Sequence, residues 1–505
     1  MAHGKAIPIM IQGTHSDAGK SVLVTALCRI FAQDGFRTAP FKSQNMALNS
    51  YITLDGKEIG RSQGIQAEAA EIVATTEMNP ILIKPTGDYE AQIVVHGKPL
   101  KSMKAHNYRS DYYETAKIII EESYQNLASS FERIVIEGAG SPAEVNLNDR
   151  ELVNMSIAKM ADSPVLLVGD IDKGGVFASL VGTLQLLSPE DRNRVVGVII
   201  NKFRGDLSLL EPGLTWFEEY TGKPILGVIP YINDLLIDAE DSLSLSTYSK
   251  HKDKDKEIDI AVINYPRISN FTDIDPFLSE SDTHVRLVEN AHQLDQPDVI
   301  ILPGSKNTIE DLLFLREKGL EQEIIRAHQK GAVIFGICGG YQMLGDRIED
   351  PFQVESKIEH IEGLKMLPLE TLLTKAKTTI RSTGIIQLFG AKVKVAGYEI
   401  HMGTTTHASQ VEPLIHLNDQ EDGSKNNMET CIGTYFHGIF HNDEFRGVFL
   451  NHIRKRKGLQ PILTRESFED SQNKDFDRLA DHVRNALDIE LLYEIMEQFA
   501  LRKRD

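Results

Sequence analysis

Cysteine is scarce in this chain: Cys28, Cys338 and Cys431 are the only three in 505 residues. The count is odd and the spacing unpaired, which excludes a disulfide framework and a zinc site and fits reduced thiols in a cytoplasm. No apolar run is long enough to cross a bilayer, so no membrane partner is expected. Met1 to Lys5 does not read as a signal peptide, because Ala6-Ile7-Pro8-Ile9-Met10-Ile11 is short and reads as a first strand. Basic charge is also in deficit, with 54 Lys and Arg against 73 Asp and Glu and a net charge of −19. That balance excludes nucleic acid as the main partner. It does not exclude small anionic substrates, which a local cluster of lysines and backbone N–H groups can bind.

What is present is a long chain of alternating elements. At 505 residues two or three domains are expected. Strands are predicted at Ile7–Ile11, Arg133–Ile136, Pro164–Val168, Val195–Ile200 and Pro224–Val228, each followed by a turn and often by a helical period. This is the pattern of a doubly wound, mostly parallel sheet. A polar stretch rich in Lys and Asp separates it from a second strand–helix series, at Ile258–Ile263, Val299–Leu302, Ala332–Phe335 and Gly433–Phe436. Asn418 to Asn427 reads as a loop. The expected division is residues 1–245, a linker at 246–257, a second α/β domain at 258–457, and a helical extension at 458–505. Leu479, Val483, Leu487, Leu491 and Ile495 carry the helical spacing of that extension.

Gly13-Thr14-His15-Ser16-Asp17-Ala18-Gly19-Lys20-Ser21 follows the first strand and opens an apolar helix. Such a loop turns backbone N–H groups toward phosphate oxygens; its lysine reaches the terminal phosphates and its Ser hydroxyl can ligate Mg²⁺. Gly13, Thr14, Ser16, Gly19, Lys20 and Ser21 are therefore candidate ATP-binding residues. The spacing is one residue longer than the common form and resembles the variant of dethiobiotin synthetase and its relatives. That resemblance implies a phosphoryl-transfer role for Lys42 and base contacts for Asn201 and Lys202. Glu137 ends a buried-type strand, where a carboxylate suits Mg²⁺, so Ser21 and Glu137 are the candidate metal ligands. Capping of the next helix is its bland alternative. Asp170 and Asp172 end another strand at the expected substrate face, where a structural turn is a fair rival.

The second series contains Gly336-Ile337-Cys338-Gly339-Gly340-Tyr341-Gln342. A thiol on a glycine-flanked turn between strand and helix is held out toward a substrate, and the helix start favours its thiolate. Cys338 is the candidate nucleophile. His437, at a strand end 99 residues later, is the candidate base. Backbone N–H groups near Gly304 and Ser305, with that of Gly339, are the candidate oxyanion hole.

Gly336–Gly340 resembles the nucleophile elbow of class I glutamine amidotransferases. Members of that class usually carry His-x-Glu, but here Ile439 stands where the Glu would be. The departure resembles the cobyrinic/cobyric acid amidotransferase family. Phe41-Lys42-Ser43-Gln44-Asn45-Met46-Ala47-Leu48-Asn49-Ser50-Tyr51, the run from Glu58 to Ala70 and Gly397-Tyr398-Glu399-Ile400-His401-Met402-Gly403 are similar to its cobyric acid branch. The resemblance implies an N-terminal P-loop domain of dethiobiotin synthetase type and a C-terminal class I amidotransferase domain, both α/β. It implies ATP, Mg²⁺ and glutamine, with amidation of the b, d, e and g carboxylates of adenosylcobyrinic acid a,c-diamide. Gln44, Asn45, Asn49, Gln63 and Glu68, with Asp170 and Asp172, are then the candidate substrate residues. Chemistry agrees: a carboxylate accepts an amine only after activation, so a phosphate loop and a glutaminase on one chain imply a ligase. A different carboxylate amidase, a partition-type ATPase lacking catalysis, and a degenerate glutaminase acting as a binding module are the rival readings.

Overall fold

The computed structural model describes residues 6–85, 90–104, 108, 110–146, 148–232, 253, 255–407, 412–417 and 420–502. The chain divides into two compact units, one of residues 1–47, 57–240 and 472–505, the other of residues 48–56 and 241–471. Most of the expected linker lies outside the described residues. Among the described residues no helix is long and apolar enough to cross a membrane.

The first unit is built on a six-stranded parallel sheet. Its strands are β1 (Ile7–Gly13), β2 (Thr38–Phe41), β3 (Arg133–Glu137), β4 (Val165–Asp170), β5 (Val195–Phe203) and β6 (Ile225–Pro230). Their order is β6-β5-β4-β1-β3-β2. The runs are apolar because helices cover both faces, as a parallel sheet requires. The order reverses beside β1, so the carboxyl ends of β1, β3, β4 and β5 frame one crevice, where doubly wound sheets bind their ligands. The phosphate loop, Glu137, Asp170 and Asn201 all lie at those ends.

The second unit has its own sheet, of β7 (Ile258–Ile263), β8 (Thr283–Val288), β9 (Val299–Leu302), β10 (Val333–Ile337), β13 (Ser424–Lys425) and β14 (Cys431–Thr434). The order is β8-β7-β9-β10-β14-β13, with β13 antiparallel. A long antiparallel hairpin, β11 (Leu369–Leu388) and β12 (Ala391–His407), runs beside it in chain order and pairs with β15 (Phe436–His437). The sequence reading missed this hairpin, because its long arms alternate buried and exposed residues with little apolar concentration. It also missed β8.

Two further expectations need correction. The segment read as a loop, 418–427, contains strands at Glu421–Asp422 and Ser424–Lys425; Ser424 pairs with Gly433 of β14. The C-terminal extension is two helices, Phe468–Ala486 and Ile489–Leu501, not one continuous period. The break at Leu487-Asp488 arises because Leu487 bridges to the Gly227 backbone and the Asp488 carboxylate accepts from the Leu491 N–H as a cap. The buried face therefore shifts by one residue, from the expected Leu491 and Ile495 to Leu492 and Met496. These helices join the core of the first unit. The C-terminal helices are thus packed on the body, and they belong to the first unit.

Candidate active site

Cys338 closes β10 and caps a short helix, Gly339–Met343. Its backbone has φ 53° and ψ −110°, a strained conformation for a residue with a Cβ. Tight packing enforces the turn. The Cys338 N–H donates to the Thr434 carbonyl at 2.8 Å, and the Gly340 N–H to the Pro303 carbonyl at 3.1 Å. A Cβ on Gly340 would lie 1.9 Å from the Leu302 carbonyl oxygen, so only glycine fits there. The thiol donates to the Ile400 carbonyl at 3.5 Å. Cys338 keeps 7% of its surface exposed while Cys28 and Cys431 keep none. Burial pushes the thiols of Cys28 and Cys431 up, which leaves them inert.

His437 lies on β15, opposite Tyr398 of β12, whose ring stacks on the imidazole at 5.1 Å. Its Nδ1 is 2.7 Å from Oδ2 of Asp273, on the 3₁₀ segment Phe271–Phe277. The other Asp273 oxygen accepts from the Gly438 N–H. Nε2 is buried and has no hydrogen-bond partner among the described residues. Burial would lower the His437 pKa. The Asp273 carboxylate, through charge and hydrogen bond, outweighs burial and Cys338 adds to it, so the imidazole is held well above its ordinary value. The carboxylate that the local sequence lacks is thus supplied from 164 residues upstream.

The Gly304 turn closes the third side. A Cβ on Gly304 would lie 3.4 Å from Cε1 of His437, and one on Gly339 2.9 Å from the Ser305 N–H nitrogen. Gly304, Ser305 and Gly339 are therefore brought together beside Cys338 and His437. Thr308 Oγ1 donates to the side-chain Oε1 of Gln342 at 3.0 Å, and Gln342 Nε2 donates to the Tyr435 hydroxyl at 3.1 Å, which fixes the wall behind the elbow. Behind that wall Asp422 accepts from the Tyr435 N–H, and burial pushes its carboxyl up to about 6.

In the first unit the loop leads into the helix Lys20–Gln33. Gly19 has φ 96°, and a Cβ there would lie 2.1 Å from Nδ2 of Asn201, which instead donates to the Ala18 carbonyl at 3.0 Å. Lys20 Nζ donates to the His15 and Ser16 carbonyls at 3.1 and 2.9 Å. The Thr14 hydroxyl has no hydrogen-bond partner among the described residues. Glu137 is the hub of the crevice. Oε1 accepts from Ser21 Oγ at 2.7 Å and from Lys42 Nζ at 3.0 Å, and Oε2 accepts from Gln66 Nε2 at 2.6 Å. Lys202 Nζ donates to Asp170 at 2.8 Å and to the Asp17 carbonyl at 2.6 Å. Burial would push the Asp170 carboxyl up, but Lys202 holds it below the usual range. Asp172 pairs with Arg204 at 3.2 Å.

The amide-rich residues do not form one group. Asn45 and Gln63 are buried and bonded to each other at 2.9 Å, and Gln63 continues at 3.4 Å to Gln66 on the same helix, Arg61–Ala69. They extend the Glu137 network instead of presenting free amides. Gln44 and Glu68 are half-buried near them in sequence. Asn49 belongs to the other unit, where its side chain accepts from the Asn270 N–H at 3.0 Å. Sequence reasoning missed Asp273 and Gln66. Gln66 lies within the motif, three residues after Gln63, and so was within its reach.

The chain matches two family descriptions in series. Residues 9–245 match the CobQ/CobB/MinD/ParA nucleotide binding domain, and residues 259–445 the CobB/CobQ-like glutamine amidotransferase domain. A nucleotide-binding sheet followed by an amidotransferase sheet defines a glutamine-dependent ligase. The chain is 61% identical over 499 residues to a cobyric acid synthase of Geobacillus sp. (strain WCH70), covering 99% of each chain. It is 59% identical to one of Anoxybacillus flavithermus, covering 98% of each, and 49% identical to one of Desulforamulus reducens, covering 97% of this chain and 98% of that one. The chain belongs to the cobyric acid synthase family.

Proposed function

We propose that the protein amidates the b, d, e and g carboxylates of adenosylcobyrinic acid a,c-diamide, in cobalamin biosynthesis, with glutamine as nitrogen donor. Identity to cobyric acid synthases over nearly the whole chain supports the substrate. The bond between Asp273 and His437 carries the chemical reading, because it leaves Nε2 as the atom available to Cys338.

Glutamine hydrolysis follows from that geometry. With the imidazole made a stronger base by Asp273, Cys338 passes its proton to Nε2 of His437 as it attacks the glutamine side-chain carbonyl. Backbone N–H groups of the Gly304–Ser305 turn and Gly339 stabilise the oxyanion. His437 gives its proton to the departing ammonia, and water, deprotonated by His437, then cleaves the thioester to glutamate. In the first unit, the γ-phosphoryl of ATP passes to the corrinoid carboxylate, leaving ADP. Ammonia displaces phosphate from the acyl phosphate and forms the amide.

Lys20 and the loop N–H groups hold the phosphates, and Lys42 neutralises charge developing beside Glu137. Asn201 and Lys202, bonded to the Ala18 and Asp17 carbonyls of the loop, are assigned to the nucleotide base. The candidate Mg²⁺ site fits its donors: the Ser21 hydroxyl and the Glu137 carboxylate meet at 2.7 Å, both hard oxygens. Among the described residues no cluster of three His, Cys, Asp or Glu offers a cage, and Mg²⁺ takes few protein ligands beside phosphates and water. When bound there, Mg²⁺ would neutralise phosphate charge. The experiment is a product assay with the a,c-diamide, ATP and glutamine. Amides at the b, d, e and g positions support the proposal; an untouched a,c-diamide, with another acid amidated, overturns it.

A further inference from the structure

Asn49 lies in the run Lys42–Tyr51, whose earlier members belong to the nucleotide-binding unit, yet it is buried in the glutaminase unit. Its carboxamide oxygen accepts from the Asn270 N–H at 3.0 Å, and the Asn270 oxygen accepts from the Ser50 N–H at 3.0 Å. The Leu48 carbonyl accepts from Ser269 Oγ at 3.3 Å. Residues 48–50 therefore grip Ser269-Asn270 through three hydrogen bonds, and the two made by Asn49 and Asn270 are buried, where an unmade bond is costly.

What they grip is the support of the glutaminase site. Asn270 has φ 51°, a left-handed turn, and the 3₁₀ segment bearing Asp273 starts at the next residue. On its other side, the Ser269 N–H donates to the Gly304 carbonyl at 2.9 Å, and Ile268 bridges to Ser305. One short stretch, 268–273, thus carries the carboxylate that orients His437 and anchors the turn that offers the oxyanion donors.

We propose that Asn49 is a positioning residue of the glutaminase, fixing the 268–273 stretch and through it Asp273 and the Gly304 turn. This rests on the Cys338–His437–Asp273 reading above. It assigns Asn49 to glutamine hydrolysis, not to corrinoid binding. Small displacements of a catalytic group lower turnover steeply, so a loss of about 10- to 100-fold is expected.

The test uses the full chain with Asn49→Ala and Asn49→Asp, assayed with glutamine and, separately, with ammonium chloride. Asn49→Ala is expected to lower kcat for glutamine about 10- to 100-fold, to move the alkaline limb of the glutaminase pH profile downward, and to leave ammonia-dependent amidation within about twofold. Asn49→Asp, which keeps the acceptor oxygen, is expected to restore most of kcat and the limb. Equal losses with both donors would assign Asn49 to the corrinoid or to general stability and overturn the proposal, as would an unmoved pH limb with kcat intact. If Asn49→Ala does not fold, Asn270→Gly reads the same grip from its other side: it keeps the left-handed turn, removes the acceptor for Ser50, and is expected to give the same donor-selective loss. A Cys338→Ala control separates the two levels. If it keeps glutamine-dependent activity, both readings fail; if it loses that activity while Asn49→Ala and Asn270→Gly keep theirs, only this proposal fails.

Discussion

The two crevices of this protein are prepared in different ways. Around Cys338 the candidate groups are held in place: the elbow is strained, Asp273 fixes His437, and Nε2 has no hydrogen-bond partner among the described residues. Around Lys20 the groups are occupied with one another. Lys20 rests on loop carbonyls, and Ser21, Lys42 and Gln66 all converge on Glu137. Covalent catalysis rewards fixed geometry, because misplacement of a nucleophile is costly. Phosphate binding rewards partners that can be exchanged, because the ligand brings its own charge and oxygens to replace them.

Substitutions can break this contrast, and the largest effect is expected at the nucleophile. Cys338→Ala should lower glutamine-dependent amidation about 10⁵-fold or more while sparing ammonia-dependent amidation, read by steady-state product formation. Asp273→Asn should cost about 10³- to 10⁴-fold in glutaminase kcat, since a misoriented imidazole is nearly as harmful as a missing one.

Asp273→Asn should also change the pH response. Burial is then opposed by Cys338 alone, so the alkaline limb of glutaminase activity moves to lower pH. The sign for stability is the same. A histidine raised above its ordinary 6.5 contributes stability that is fully present below that pH and lost as pH rises through its folded value. Denaturant midpoints for the wild type and Asp273→Asn should therefore differ most below pH 6.5 and converge in alkali.

Gly304→Ala should cost about 10²- to 10³-fold with glutamine only, because its Cβ would meet the Ser269 carbonyl and displace the oxyanion turn. Lys20→Ala should cost about 10²-fold with either nitrogen donor, which distinguishes the phosphate crevice from the glutaminase. The smallest effect is expected at Gln66→Ala. Loss of its bond to Glu137 should weaken Mg²⁺ activation about 10-fold, measured by Mg²⁺ titration of ammonia-dependent amidation.

The same contrast sets how much was legible in the sequence. The elbow and the phosphate loop are local: the glycines, the thiol and the lysine stand within a few residues of each other and name their own turns. The parallel strands were legible because burial on both faces makes them continuous apolar runs. Asp273 was not, since nothing in Phe271–Phe277 links it to a histidine 164 residues later. The β11–β12 hairpin was hidden by alternation, and the C-terminal break by a single cap at Asp488. Asn49, read together with its motif neighbours, lies in the second unit, because the chain passes from one unit to the other between Ala47 and Leu48.

Ammonia is proposed to form at Cys338 and to be used elsewhere on the same chain at the expense of ATP. This is tested most directly by incubating Cys338→Ser with ATP, Mg²⁺ and the a,c-diamide, supplying either glutamine or ammonium chloride, and weighing the corrinoid product by mass spectrometry. Amidated product is expected from ammonium and none from glutamine. Amidated product from glutamine, or none from either donor, would contradict it.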